Sequence, residues 1–371
     1  LTDFLICGAG ISGLLVAREL LQAGATVHLI ERGEPGQEAS WAGGGIVSPL
    51  YPWRYNDAVS ALANKAQDAY PELSRALAEE TGIDPQLNIC GLLMLDAPDT
   101  AQALAWAGRY GRDMELLNES QVYARERELA DGFKQGLWMP GVANVRNPRL
   151  LQALRHFVEH HENARLSSDC EVLGFNTRGR VVTSLQVSMN GRIDLLNAGN
   201  YVLTAGAWTG LLLEKIGQAL PIEPVKGQML LYRLDKRYIN SIILTQGRYL
   251  IPRLDQHVLV GSTLEPGGFE KTTSRDALDS LRQSASAMLP VLAHQPVIAH
   301  WAGLRPGAPD GTPFIGALPA FTNLFVNAGH YRNGLVLAPA SARLLADILL
   351  GRPPDIEPQP YDPSTRMRPQ E

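Results

Sequence analysis

Cysteine is scarce in this chain of 371 residues. The three present, Cys7, Cys90 and Cys170, are far apart and odd in number. They exclude a disulfide framework and a paired-cysteine metal site, and they suit a reducing cytoplasm. Cys7 falls within an apolar run and reads as a small core residue, not a reactive thiol. Basic blocks are also missing. Lys and Arg number 33 against 38 Asp and Glu, a net charge of −5, so a nucleic-acid surface is not expected. No cluster of His, Cys and carboxylates suggests a metal. No run looks like a membrane span: the best candidate, 335–350, is short and carries Arg343 and Asp347. The first apolar run has no basic region before it and leads straight into glycines, as a strand would and a signal peptide would not. Internal repeats are absent.

What is present is a globular composition, with 45% hydrophobic residues, in a chain long enough to predict two packed domains. The first 31 residues carry the strongest signal. An apolar run at 4–7 leads into Gly8-Ala9-Gly10-Ile11-Ser12-Gly13, then a helical pattern to Leu21, then a second apolar run at 27–30 that ends on Glu31. This is the order of a dinucleotide-binding βαβ unit. Gly8 permits the tight turn, Gly10 lets backbone approach a pyrophosphate, and Gly13 lets helix pack on strand. The helix N-terminus presents free N–H groups and partial positive charge to phosphate. Glu31 lies 18 residues past Gly13, near the spacing of about 20 expected of a ribose-binding acid. An ordinary glycine turn is the alternative for the triplet alone.

Further on, small residues dominate 38–45, a segment able to bring backbone against a ligand or simply to flex. Helices are expected at 56–80, 101–110, 119–128, 149–160, 275–288 and 335–349. Strands are expected at 87–95, within 170–187, and at 198–203, 225–232, 249–252, 257–262 and 323–326. The fold class is therefore α/β plus α+β. A discontinuous Rossmann-like nucleotide domain (1–85, 141–219 and 301–371) carries a second domain with a mixed or antiparallel sheet (86–140 and 220–300). Small ligands favour such junctions. The tail after Pro353, rich in proline and charge, is expected to be mobile.

Three polar side chains stand out. Arg305 follows an apolar strand and precedes Pro306, which should end the pairing. Its guanidinium suits a carboxylate held by two parallel bonds, or a structural ion pair. Arg332 sits in a glycine-flanked loop. Tyr249 lies on an alternating strand, where a lone tyrosine usually fills the core or an edge.

Four segments, read together, resemble the D-amino-acid oxidase group of FAD flavoproteins, and most of all its glycine oxidases of thiamine biosynthesis. They are the glycine turn with Glu31-Arg32, then Thr204-Ala205-Gly206-Ala207-Trp208, then Trp301-Ala302-Gly303-Leu304-Arg305-Pro306, and finally Gly329-His330-Tyr331-Arg332-Asn333-Gly334. They run in the family's order from end to end. The resemblance implies FAD, bound without a covalent link, because no cysteine lies in the flavin-covering segments. It assigns cofactor contacts to Gly8, Gly10, Ile11, Ser12, Gly13, Glu31 and Arg32. It adds Ser40, Ala42, Gly43, Gly44, the backbone of Val172, and Thr204, Ala205, Gly206 and Trp208. At the C-terminal end it adds Gly329, His330, Tyr331, Arg332, Asn333, Gly334 and Leu335, with a helix N-terminus aimed at the flavin ring.

For substrate, the resemblance implies Arg305, Tyr249 and Arg332 on a carboxylate, with Ile46 and Leu264 as apolar walls where relatives carry methionines. No side chain is expected to act as acid or base. His330 beside its glycine is expected to make a backbone hydrogen bond, since hydride transfer from Cα to flavin N5 needs only positioning. The expected reaction is oxidative deamination of glycine, sarcosine, D-alanine or D-proline to oxo acid, ammonia and hydrogen peroxide. The expected partners are a small amino acid and oxygen, in a cytoplasmic homo-oligomer. A dehydrogenase passing electrons to a quinone, and a flavin-holding protein without turnover, are the alternatives.

Overall fold

The computed structural model describes residues 2–366. Strand Phe4–Cys7 lies inside a six-stranded sheet, paired in parallel with Val27–Ile30 on one side and Asn200–Leu203 on the other. Such a strand is covered on both faces, which explains its unbroken apolar sequence. Phe4 and Ile6 pack under helices Ile11–Gln22, Asp57–Thr81, Asn147–His160 and Gly334–Leu350. Leu5 and Cys7 face the other way, against a three-stranded meander of Cys170–Arg178, Val181–Met189 and Arg192–Leu196.

The second sheet has nine strands. Its long strand Glu223–Arg233 pairs with His257–Gly261 on one edge and Val297–Gly307 on the other. Helix Arg275–Met288 covers one face through Leu281, Ala285 and Met288. The opposite face carries Met229, Tyr249, Ile251 and Leu259, so the alternation of strand side chains places Tyr249 away from that helix.

Several expectations need correction. Pro306 does not end its strand: it sits opposite Pro224, and pairing continues to Gly307 opposite Glu223. Two prolines facing each other leave no N–H without a partner. The expected boundary at 300/301 therefore falls inside a strand of the second sheet. The expected strand 87–95 splits into Asn88–Ile89 and Leu92–Leu95 because the chain turns at Gly91, with φ 77°, to admit the Trp138 ring. The helix expected at 119–128 ends at Arg125.

The tail docks instead of moving freely: Tyr361 is buried and donates to the Ala58 carbonyl at 2.8 Å, and Arg366 donates to Pro313 at 2.7 Å. Residues 367–371 lie outside the described range. The stretch judged too short for a membrane is part of a 20-residue helical run, Tyr331–Leu350, apolar enough to cross one, but 67% of it is buried inside this protein.

Candidate active site

One cavity of about 330 Å³ runs from the first glycine turn, at the top of the parallel sheet, to the face of the second sheet. At its closed end the backbone approach depends on missing side chains. Gly8 has φ 110°. A Cβ on Gly13 would overlap the Gly8 carbonyl, and one on Gly10 would press on Ser40 Oγ at 3.2 Å. Thr204 Oγ1 donates to the Gly8 carbonyl at 2.8 Å, and the Ile11 N–H donates to Ser40 Oγ at 2.9 Å. Glu31 accepts from the Ala9 N–H at 2.8 Å, so it braces the turn while also lining the cavity. Arg32 stacks on the Trp208 ring at 3.9 Å and pairs with Glu38, which also meets Lys271 at 2.9 Å.

Most of the residues singled out in the sequence border this cavity: Gly8, Gly10, Ile11, Ser12, Glu31, Arg32, Ser40, Gly43, Gly44, Ile46, Val172, Thr204, Ala205, Gly206, Trp208, Tyr249, Arg305 and the run from His330 to Leu335. Four do not. Gly13 packs helix on strand. Ala42 accepts from Trp301 Nε1 at 3.1 Å and abuts Gly303. Gly329, with φ 85°, turns the chain. Leu264 is 50% exposed and off the cavity, because it follows the end of strand His257–Gly261 and faces outward; it is no wall of this pocket.

Sequence reasoning missed others. Asn147 donates to the carbonyls of Ser40 and Gly43 at 2.7 and 3.1 Å and holds the small-residue loop. Lys215 donates to the Val172 carbonyl at 2.8 Å. Met229 Sδ accepts from the Tyr249 hydroxyl at 3.3 Å. Asn147 had a signal, its place before Pro148 at a helix start. Lys215 and Met229 had none.

At the C-terminal segment, His330 is buried with Nε2 3.0 Å from Ser341 Oγ, and that hydroxyl donates to the Ala338 carbonyl. The partner of Nε2 is a side chain, not the expected backbone group. Burial pushes the imidazole down to about 4, so it is neutral near pH 7, with one ring nitrogen engaged by Ser341. Helix Gly334–Leu350 starts at the cavity wall with no side-chain cap, leaving its first N–H groups open. Beside it, both amide atoms of Asn327 and the Nδ2 of Asn333 are buried without partners.

Arg305 lies on the same wall as Tyr249. It donates to Ser262 Oγ at 2.7 Å and to the Thr263 carbonyl at 3.3 Å. No carboxylate among the described residues forms an ion pair with Arg305 or with Arg332. Burial holds Arg305 below the usual guanidinium range, Tyr249 opposes that shift, and Arg332 adds to it. A buried cation without a counter-ion is costly unless an anion arrives.

A phosphate-sized cradle at a helix N-terminus, orphaned amides along the wall and guanidinium groups without a carboxylate partner at the far end define the site of a dinucleotide-dependent enzyme. The open glycine cradle and unpartnered amides fit a dinucleotide that stays bound along the cavity. The family model described as FAD dependent oxidoreductase (DAO) matches residues 3–348, and the chain belongs to this family of FAD-dependent enzymes. A curated glycine oxidase of Pseudomonas aeruginosa is 51% identical over 98% of both chains. The bifunctional protein ThiO/ThiG of Trichormus variabilis is 29% identical over 95% of this chain and 53% of its own length. The crystal structure of glycine oxidase from Geobacillus kaustophilus superposes with a TM-score of 0.91 at 27% identity, covering 100% of this chain and 99% of that one.

Proposed function

We propose that this protein oxidises small amino acids at Cα, with hydrogen peroxide formed from oxygen: glycine and D-alanine to the oxo acid and ammonia, sarcosine to the oxo acid and methylamine, and D-proline to its cyclic imine. The observation that carries this reading is the Arg305 guanidinium, partly buried on the cavity wall and held by the neutral oxygens of Ser262 and Thr263 with no carboxylate partner among the described residues. It pairs with the substrate carboxylate, and charge-assisted bonds of this kind contribute about 1.5–3 kcal/mol each. Tyr249 orients the same carboxylate with its hydroxyl, and Arg332 adds a second positive charge. Ile46 limits the space beside Cα.

Bound FAD supplies the acceptor for the hydride. The chain's part is to bind it and to aim the substrate. The glycine turn would cradle the pyrophosphate, with Glu31 and Arg32 holding the ribose and Val172 the adenine. Ser40, Gly43, Gly44, Thr204 to Gly206, Trp208 and the run from His330 to Leu335 would enclose the rest. The uncapped start of helix Gly334–Leu350 places partial positive charge where negative charge develops. The parallel-sheet layer serves the nucleotide and the nine-stranded sheet, with Val297–Gly307 as its edge, serves the substrate. The likeness to a ThiO/ThiG protein supports a place in thiamine thiazole synthesis.

The test is anaerobic mixing of the purified yellow protein with glycine, sarcosine and D-proline. Loss of flavin colour, then peroxide on admitting air, is the expected result. No bleaching with any of them overturns the reading. Bleaching without peroxide points to a different electron acceptor.

A further inference from the structure

Ser262 follows the last residue of strand His257–Gly261, is buried, and lines the cavity beside Arg305 and Tyr249. Its oxygen accepts from Arg305 Nη2 at 2.7 Å. A serine hydroxyl offers one proton and two lone pairs. The bond from Arg305 uses one lone pair, and no hydrogen bond among the described residues uses the proton. We propose that Ser262 is a further substrate-binding residue, donating this proton to the carboxylate that Arg305 holds. The inference rests on the amine-oxidation reading and adds a contact to it.

The placement is fixed from behind. The Ser262 carbonyl accepts from Arg248 Nη1 at 2.5 Å, and Arg248 Nη2 reaches Ser280 Oγ at 3.2 Å on helix Arg275–Met288. Next along the chain, Thr263 Oγ1 accepts from the Gln228 N–H at 2.9 Å and donates to Glu265, whose carboxylate also meets Lys226 at 3.0 Å. Residue 262 therefore cannot swing away when a ligand enters. An oxygen 2.7 Å from Arg305 Nη2 is within reach of any carboxylate that this guanidinium binds. Accepting from a cation also polarises the hydroxyl and makes its proton a stronger donor. The carboxylate then takes bonds from a guanidinium and a hydroxyl at once, and the Cα–H is oriented by both.

The experiment compares the parent enzyme with Ser262→Ala and Ser262→Thr. It measures kcat and KM for glycine, and Kd for glycolate, which has a carboxylate and no amine, from the change in flavin absorbance. Loss of one hydrogen bond to a charged group predicts a rise of about tenfold in both KM and Kd for Ser262→Ala, with a much smaller fall in kcat. Ser262→Thr, which keeps the hydroxyl, should stay near the parent. Unchanged KM and Kd in Ser262→Ala overturn the proposal, and so does an equal loss in Ser262→Thr. If the parent itself is not reduced by glycine, sarcosine or D-proline, the amine-oxidation reading fails first, a result distinct from either.

Discussion

The guanidinium of Arg305 lies against Gly227 of the neighbouring strand, in the space a β-carbon on residue 227 would fill. Arg305 stands opposite Val225 in the register and Gly227 opposite Gly303, so the side chain crosses the strand diagonally to reach it. The missing side chain at 227 is what lets this partly buried arginine lie flat along the sheet and end at the cavity. Gly227→Ala should leave the fold and flavin content intact, displace the guanidinium, and raise KM for glycine about tenfold or more. Steady-state kinetics with the flavin-to-protein ratio check this.

Arg305 itself should show a conflict between binding and stability. Its burial without a carboxylate disfavours the charged form. Replacing such a cation with an apolar side chain of similar length removes that desolvation penalty. Arg305→Met should therefore raise the midpoint of urea denaturation, by a free energy of about 1 kcal/mol, while abolishing saturation by glycine. A lowered midpoint would show that the guanidinium is compensated in a way its hydrogen bonds do not suggest.

Acid should weaken the fold before the carboxylates titrate. His330 and His28 are each pushed down to about 4, in both cases first by burial. A histidine with a depressed folded pKa binds its proton more readily when unfolded. Stability is then fully present above the unfolded value of about 6.5 and is lost as pH falls toward 4. Urea midpoints measured between those limits should decline, and His330→Asn should flatten part of the decline.

The glycine turn should control flavin content. Gly13→Ala favours helix by backbone propensity, yet its methyl would overlap the Gly8 carbonyl and crowd Thr204 Oγ1. The purified variant should carry flavin well below one per chain, read from the visible-to-ultraviolet absorbance ratio.

Gly108 supplies the contrast. It lies inside helix Thr100–Tyr110, and a Cβ there would meet nothing. Gly108→Ala should add about 0.5–1 kcal/mol of stability and leave flavin content unchanged, as a thermal melt with a flavin spectrum would show.

Local patterns made much of this legible in advance. The glycine turn, the strands on either side of it and helix Arg275–Met288 follow from periodicity and turn chemistry over a few residues. Arg305, Tyr249 and the segment from His330 to Leu335 stand in motifs, and all border one cavity. Leu264, placed in the pocket by resemblance alone, lies off it because it follows the strand that ends at Gly261 and is half exposed. Pro306 misled because its effect depends on the residue across the ladder, and that residue is Pro224.

What the sequence determined alone was the chemistry available: a phosphate cradle, arginines able to hold a carboxylate, and two sets of strands with different periodicity. Those signals reside in neighbours along the chain. The tertiary structure decided which of them meet. Lys215 reaches Val172, Asn147 holds Ser40, and Ser262 and Gly227 together receive Arg305. These partners lie tens to a hundred residues apart and share no local pattern. Only the packing of the two sheets across one cavity, which leaves the guanidinium partly buried and without a counter-ion, turns a common residue into a site for an anion.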